Sequence, residues 1–177
     1  EEAHIALLEK NIFYEQSWFT TVRKIDTPEK FRNYLLKFIE DQTKLDILVL
    51  VVQDKKSGEL VGLSQYHQAL GKFFKVEIGF TWIGDKWKRS YINTQLKLLM
   101  LSYAFEVMGV GRVEFCVHPT NDRSNAAMKR LGAKLEGTLR KWRFLGGIDS
   151  GDRNIYSVID NEWPVVKEHL LTLSKKY

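Results

Sequence analysis

A single cysteine, Cys116, stands in 177 residues, which excludes an internal disulfide. A lone thiol within an alternating apolar stretch reads as a small buried hydrophobe, and suits a reducing compartment. No apolar run approaches the roughly 20 residues that cross a bilayer, and no short apolar secretion core stands near the N-terminus. These absences lead to the expectation of a cytoplasmic protein with no membrane partner. Linkers, repeats and low-complexity tracts are missing as well, so residues 1–177 are expected to form one domain around one core. Acid is scarcer than base: 22 Asp and Glu against 27 Lys and Arg give a net charge of +5. The basic residues are nevertheless spread along the chain, apart from Lys86, Lys88 and Arg89 and a Lys175, Lys176 tail. That is thin for the phosphate-tracking stripe of a nucleic-acid binder.

What is present tells most between Arg112 and Arg140, RVEFCVHPTNDRSNAAMKRLGAKLEGTLR. Val113, Phe115 and Val117 alternate with Glu114, Cys116 and His118, the period of a strand with two different faces. Pro119 has no amide hydrogen and ends the ladder. Asn121 suits the cap of a following helix, its side-chain oxygen accepting from the first turn, and Gly132 suits the left-handed position after the last turn. The spacing predicts a helix over 122–131. Ser124, Met128 and Leu131 then share a face, which puts a hydroxyl at the rim of an inward-packing stripe. Taken by itself, an Asn-x-x-Ser tetrapeptide implies only a cap and a first-turn filler.

Elsewhere, 3–10 and 28–42 read as helices, the second capped by Thr27, with Pro28 in its first turn and an aromatic stripe of Phe31, Tyr34 and Phe38. An almost unbroken apolar run predicts a central strand over 45–53. A turn around Gly58, a strand over 60–70, a Gly71 turn and a strand over 73–83 complete a meander. Residues 92–108 read as one helix. Leu96, Leu99, Met100, Tyr103, Ala104 and Val107 form one apolar face and Leu98, Leu101, Phe105 and Met108 a second, so it is expected to be covered on nearly all sides. Lys88, Arg89 and Ser90 precede its start, where free amide hydrogens and partial positive charge favour an anion. Strands over 133–145 and 153–160 and a short helix from about 162, with Pro164 in its first turn, close the chain.

The ordered set EIG-x-TW, N-T-x-x-x-x-L, RVEF, N-x-R-S, LGA and EG-x-LR resembles the GNAT superfamily of acyl-CoA-dependent N-acetyltransferases. More narrowly it is similar to the branch related to the ribosomal-protein alanine N-acetyltransferases (RimJ/RimL-like), from about residue 27 to the C-terminus. The resemblance implies an α/β fold with a mixed central sheet flanked by helices, the last strand lying antiparallel beside 112–118. In the family a further strand precedes the first helix. This chain starts without Met and just after that strand, so the first strand is expected to be missing from it.

The resemblance also implies acetyl-CoA as cosubstrate, no metal, and direct attack by an amine in a ternary complex. Main-chain amides around Thr81, Trp82 and Ile83 would hold pantetheine and polarise the carbonyl, while Lys88, Arg89, Ser90, Asn93 and Thr94 would take the pyrophosphate. Asn121 would bond the pantetheine arm or a bridging water, and Ser124 would sit near the sulfur and protonate the leaving thiolate. All would line a slot between two diverging strands. Glu77 and His118 are the candidate bases, with Glu114 behind them and a water chain as the alternative. Trp82, Trp87, Trp142 and Tyr66 could line an acceptor pocket, and core filling explains them equally well. Arg143 stands near a position where some ribosomal-type members carry a carboxylate, which would suit an acidic acceptor.

One departure matters. Where the family signature has its central glycine, this chain has Tyr91, and an L-residue resists positive φ by roughly 1 to 2 kcal/mol. The loop reads as a remodelled site whose extra cations offset a looser cradle, or as the mark of a catalytically impaired CoA- or partner-binding module. With no strong base evident, an α-amine is the easier acceptor, whether of a small molecule or of a peptide or protein N-terminus. At pH 7 an amine of pKa about 8 is neutral roughly a few hundredfold more often than a lysine of about 10.4. A homodimer is left open.

Overall fold

The computed structural model describes residues 27–41, 46–68, 74–142, 144–145, 148–149 and 151–176. The expected helix over 3–10, the expected missing strand before it, the Gly71 turn and Arg143 lie outside the described residues. Two compact units form, residues 1–71 with 78–93 and residues 72–77 with 94–177.

In the first unit, α1 (Pro28–Asp41) starts at its expected cap, the Thr27 hydroxyl accepting from the Lys30 amide at 3.2 Å. Its buried Phe31 stacks on Trp82, ring centroids 5.6 Å apart. Strands β1 (Ile47–Gln53) and β2 (Leu60–His67) form an antiparallel hairpin, in register from Ile47↔His67 to Gln53↔Leu60. Val61 through Tyr66 are all buried, the mark of an interior strand. Strand β3 (Lys75–Ile83) follows, belonging to this unit from Ile78 onward. Its Phe80 takes φ 46° in mid-strand, a conformation that breaks the regular pleat. A 3-10 turn over Asp85–Trp87 leads to α2 (Ile92–Ser102).

In the second unit, α2 passes into a π-helical turn over Tyr103–Val107, in which the Met108 amide bonds to the Tyr103 carbonyl at 2.9 Å. Next come β4 (Arg112–Val117), α3 (Asp122–Leu131), β5 (Lys134–Leu139), a short hairpin of β6 (Phe144–Leu145) and β7 (Ile148–Asp149), β8 (Arg153–Ile159), and α4 (Trp163–Ser174) with its proline in the first turn. The sheet is mixed, in the order β1-β2-β3-β4-β8-β5. β4 pairs with β3 in parallel over only three residues, Lys75↔Arg112 to Glu77↔Glu114. With β8 it pairs antiparallel along its whole length, Arg112↔Ile159 to Val117↔Asn154. No helix among the described residues is long and apolar enough to cross a membrane.

Five expectations need correction. β1 is not central: among the described strands it lies at the sheet edge, with Leu48 and Val51 exposed. Residues 92–108 are not one regular helix. Within the π turn, Phe105 stacks on Trp163 and Glu106 accepts from the Trp163 indole at 2.8 Å and the Lys167 ammonium at 2.7 Å. Nor is it covered all round, since Leu99, Tyr103 and Val107 are exposed at 69, 48 and 67%. The strand over 133–145 stops at Leu139, because Lys141 turns left-handed (φ 49°) and its amide bonds the Asp152 carboxylate at 3.1 Å. Cys116, expected buried, is half-buried, on the same side of β4 as Arg112 and Glu114.

Candidate active site

The residues singled out from the sequence fall into two strand-to-helix corners, with Glu77 apart from both. The first corner runs from the end of β3 to the start of α2. Thr81 is half-buried, its hydroxyl 2.8 Å from that of Ser64. Trp82 is buried against Phe31, and Ile83 packs on the cluster of Val61, Trp87 and Ile92. Gly62 permits this close approach of strands, since a Cβ there would stand 2.1 Å from the Trp82 carbonyl oxygen. The Gly84 amide bonds the Val61 carbonyl at 2.8 Å, which starts the turn.

Within the turn the cations divide. Lys88 pairs with Asp85, and Lys86 reaches Glu59 at 3.5 Å while lying over the Trp87 ring. Arg89 is exposed and makes no ion pair among the described residues. The Ser90 hydroxyl donates to the Trp87 carbonyl at 2.6 Å and accepts from the Ile92 amide at 3.3 Å, so it is already engaged in opening α2. Asn93 is half-buried and Thr94 buried. The left-handed residue of the loop is Arg89 (φ 61°), not Tyr91. Tyr91 turns its ring toward the β1–β2 turn and donates its hydroxyl to Asp54 Oδ1 at 2.7 Å.

The second corner joins β4 to α3. The Asn121 side chain accepts from the Ser124 amide at 3.1 Å, and Gly132 takes φ 96° with its amide bonded to the Lys129 carbonyl. Met128 and Leu131 are buried below a half-buried Ser124. Among the described residues the Ser124 hydroxyl has no hydrogen-bond partner, and neither do the Asn121 amide hydrogens.

His118 follows directly on β4 and is half-buried. Its Nδ1 accepts from the Thr120 amide at 3.3 Å and lies 2.8 Å from that residue's hydroxyl. Burial, then the charge of Arg153, push its pKa down against the opposing Asp152 carboxylate, so the ring is neutral at pH 7. A neutral ring accepting at Nδ1 carries its proton on Nε2 and has no free lone pair there. Glu114 is committed to Lys75 at 2.8 Å and Arg112 at 2.7 Å. Burial raises its carboxyl, and the bonds to those two cations outweigh this and leave it below the usual range. Neither is placed as a strong base. Glu77 is half-buried, opposite Glu114 in the β3–β4 register. Of the aromatics considered for an acceptor pocket, Tyr66, Trp82 and Trp87 are buried and Trp142 is exposed. Among the described residues no group of His, Cys, Asp and Glu is placed to hold a metal ion.

Three residues carry more than their sequence context announced. Asn125 is the knot of the second corner: its amide donates to the carbonyls of His118, Pro119 and Asn121 at 2.9 to 3.1 Å, and its oxygen accepts from Asn154 and Tyr156 at 3.0 Å. The available signal was an asparagine inside a helix, where it is a poor former and reaches for nearby backbone. Asp54 is 4% exposed, and the Tyr91 hydroxyl, then Ser57 and the amides of Lys56 and Ser57, hold its carboxyl down at about 2 against the effect of burial. Lys97 is 3% exposed on the α2 face that also buries Thr94, Leu101 and Ala104, its ammonium 6.0 Å from the Phe115 ring centroid. Burial pushes it down to about 7. Its amine stands beside the apolar Leu101 and Ala104 of that face.

The family described as "Acetyltransferase (GNAT) domain" matches residues 2–134 of the chain. "Putative ribosomal N-acetyltransferase YdaF" of Bacillus subtilis (strain 168) is 31% identical over 106 residues, 60% of this chain and 57% of YdaF. The chain thus spans less than two thirds of the length of the curated relatives it matches. The crystal structure of a GCN5-related N-acetyltransferase from Brucella melitensis is 26% identical, with 98% of this chain and 78% of that one covered at a TM-score of 0.81. RimJ from Mycobacterium smegmatis, solved in complex with CoA-disulfide, shares the fold at 18% identity and a TM-score of 0.76, covering 98% of this chain and 86% of its own. With three quarters of its length inside the family match and a mixed sheet flanked by helices, the chain belongs to the GNAT acetyltransferase family.

Proposed function

We propose that this chain transfers an acetyl group from acetyl-CoA to a primary amine, the α-amine of a small molecule or of a peptide or protein N-terminus, by direct attack in a ternary complex. The observation that carries the reading is the Ser124 hydroxyl, half-buried in the first turn of α3 and uncommitted among the described residues while Asn121 and Asn125 beside it are bonded into the corner. Amide formation from a thioester needs a proton for the departing thiolate, and a positioned hydroxyl supplies one. Asn121 has amide hydrogens to offer the pantetheine arm. At the other corner, the first-turn amides of α2 and the exposed Arg89 favour a diphosphate, and the main chain of Thr81, Trp82 and Ile83 would polarise the thioester carbonyl. Lys88 and Ser90 act there through the turn they hold, and Asn93 and Thr94 through the helix start.

Proton removal from the amine falls to Glu77 or to water. A weak base favours an acceptor that is already partly neutral at pH 7, hence the α-amine. The alternative of an impaired binding module rested on Tyr91 standing where the family signature has its central glycine, and the left-handed residue of the loop is Arg89 instead. With Tyr91 turned to Asp54, support passes to the enzyme. A cytoplasmic location without a membrane or nucleic-acid partner belongs to the same reading and rests on the sequence.

A melting curve with and without acetyl-CoA tests the reading without knowledge of the acceptor. At a hundred times Kd, ligand linkage supplies about 2.7 kcal/mol, and a chain of this size gains roughly 2 to 4 °C per kcal/mol, so a rise of roughly 5 to 10 °C is expected. No shift at millimolar acetyl-CoA would sink the proposal. A panel of amines with thiol detection then identifies the acceptor.

A further inference from the structure

The β1–β2 turn is built around Asp54 as a rigid peg. Its amide bonds the Glu59 carbonyl at 2.9 Å, and its own carbonyl receives the Gly58 amide at 2.8 Å. Oδ1 accepts from the Lys56 amide at 3.2 Å, and Oδ2 from the Ser57 amide at 3.2 Å and the Ser57 hydroxyl at 2.8 Å. Tyr91 hangs on this peg by its hydroxyl, with the Lys56 ammonium 4.2 Å from its ring centroid and its body packed on the cluster of Val61, Trp87 and Ile92. Two residues earlier, Arg89 is held in the left-handed region, which an L-residue occupies only where its surroundings over-determine it. Trp87 fixes one end of the segment 88–91 and Tyr91 the other.

We infer that Tyr91, through its bond to Asp54, is the positioning residue of the loop before α2, holding Arg89 and the helix start in the shape that grips the diphosphate of the acyl donor. The inference rests on the reading that this loop binds the donor's diphosphate. In place of glycine's freedom to adopt an open cradle, the chain uses a side-chain tether from a different hairpin. Tyr91→Phe keeps the ring and its packing and removes only the tether. The bond has an ionised partner and is of the stronger kind. Its loss is therefore expected to weaken binding of acetyl-CoA about tenfold.

Titration calorimetry on the full chain decides, using acetyl-CoA and S-acetylpantetheine, which lacks the diphosphate, with melting curves to establish that the variant folds. Y91F should bind acetyl-CoA about tenfold more weakly and S-acetylpantetheine as the parent does. Unchanged affinity for both donors, or an equal loss for both, overturns the positioning role. If the parent chain itself binds acetyl-CoA no more tightly than S-acetylpantetheine, the loop does not hold the diphosphate, and the underlying reading falls and takes the inference with it.

Discussion

Two strand-to-helix corners of this chain solve the same problem by opposite means. The corner at 118–132 is capped locally: Asn121 caps α3 and Gly132 closes it in the left-handed region, the two lying within a dozen residues of sequence, while Asn125 reaches out to Asn154 and Tyr156. The corner at 84–92 is held from far away. Its left-handed residue is an arginine, and its Tyr91 is tied to Asp54, 37 positions earlier. Capping rules apply to the first because side chain and backbone partner are neighbours in sequence. The second depends on a hairpin from elsewhere in the chain standing in the right place. The comparison also divides the proposed chemistry, with the proton donor on the local corner and the diphosphate grip on the tethered one.

That division is tested most severely by Ser124→Ala. If the local corner supplies the proton and little binding, kcat should fall about a hundredfold, the low end for a positioned acid, while the thermal shift with acetyl-CoA stays that of the parent. A loss of binding equal to the loss of rate would break the division. Single-turnover rates and melting curves give the two readings separately.

Lys97 sharpens the contrast, since α2 carries a buried ammonium into its core face and α3 buries only apolar side chains. Its pKa is about 7 in the folded chain against an ordinary 10.5. Between those values the unfolded chain keeps a proton that the folded chain has given up, so stability rises with pH across that window and the cost of burial is fullest below pH 7. Lys97→Met should therefore stabilise the fold more at pH 6 than at pH 9, by on the order of 2 kcal/mol. Urea unfolding at the two pH values measures it. An equal effect at both would show that the ammonium stays charged in the folded chain across this range.

The same contrast explains what could be read in the sequence. Asn121, Gly132 and the bounds of α3 were legible because each signal lies next to its effect, and Val113, Phe115 and Val117 alternate over one short strand. The apolar run of β1 was misleading. Hydrophobicity marks fitness for burial, and position within a sheet is decided by which strands pair. The π turn at Tyr103–Val107 was hidden because it serves Trp163 and Lys167, some sixty residues on. Asn125 and Asp54 looked like ordinary polar residues, since their partners assemble only in the folded chain. Of the candidate bases, His118 and Glu114 could be weighed only when Thr120, Lys75 and Arg112 were seen to occupy them.

The two left-handed residues offer the finest test. At Gly132 an added Cβ would lie 3.6 Å from Val166 Cγ2, an ordinary contact, so Gly132→Ala meets a backbone penalty and little else. It should destabilise by about 1 kcal/mol. Arg89→Gly is the mirror experiment. Glycine relieves the left-handed penalty, and its wider freedom in the unfolded chain takes back about 0.5 to 1 kcal/mol. The net change in stability should therefore lie within about 0.5 kcal/mol of zero, while acetyl-CoA binding weakens severalfold through loss of a cation. Unfolding curves read the first quantity and calorimetry the second. A destabilisation of Arg89→Gly as large as that of Gly132→Ala would mean that the arginine side chain itself supports the loop, and the tethered corner would then depend on more than the Tyr91 bond to Asp54.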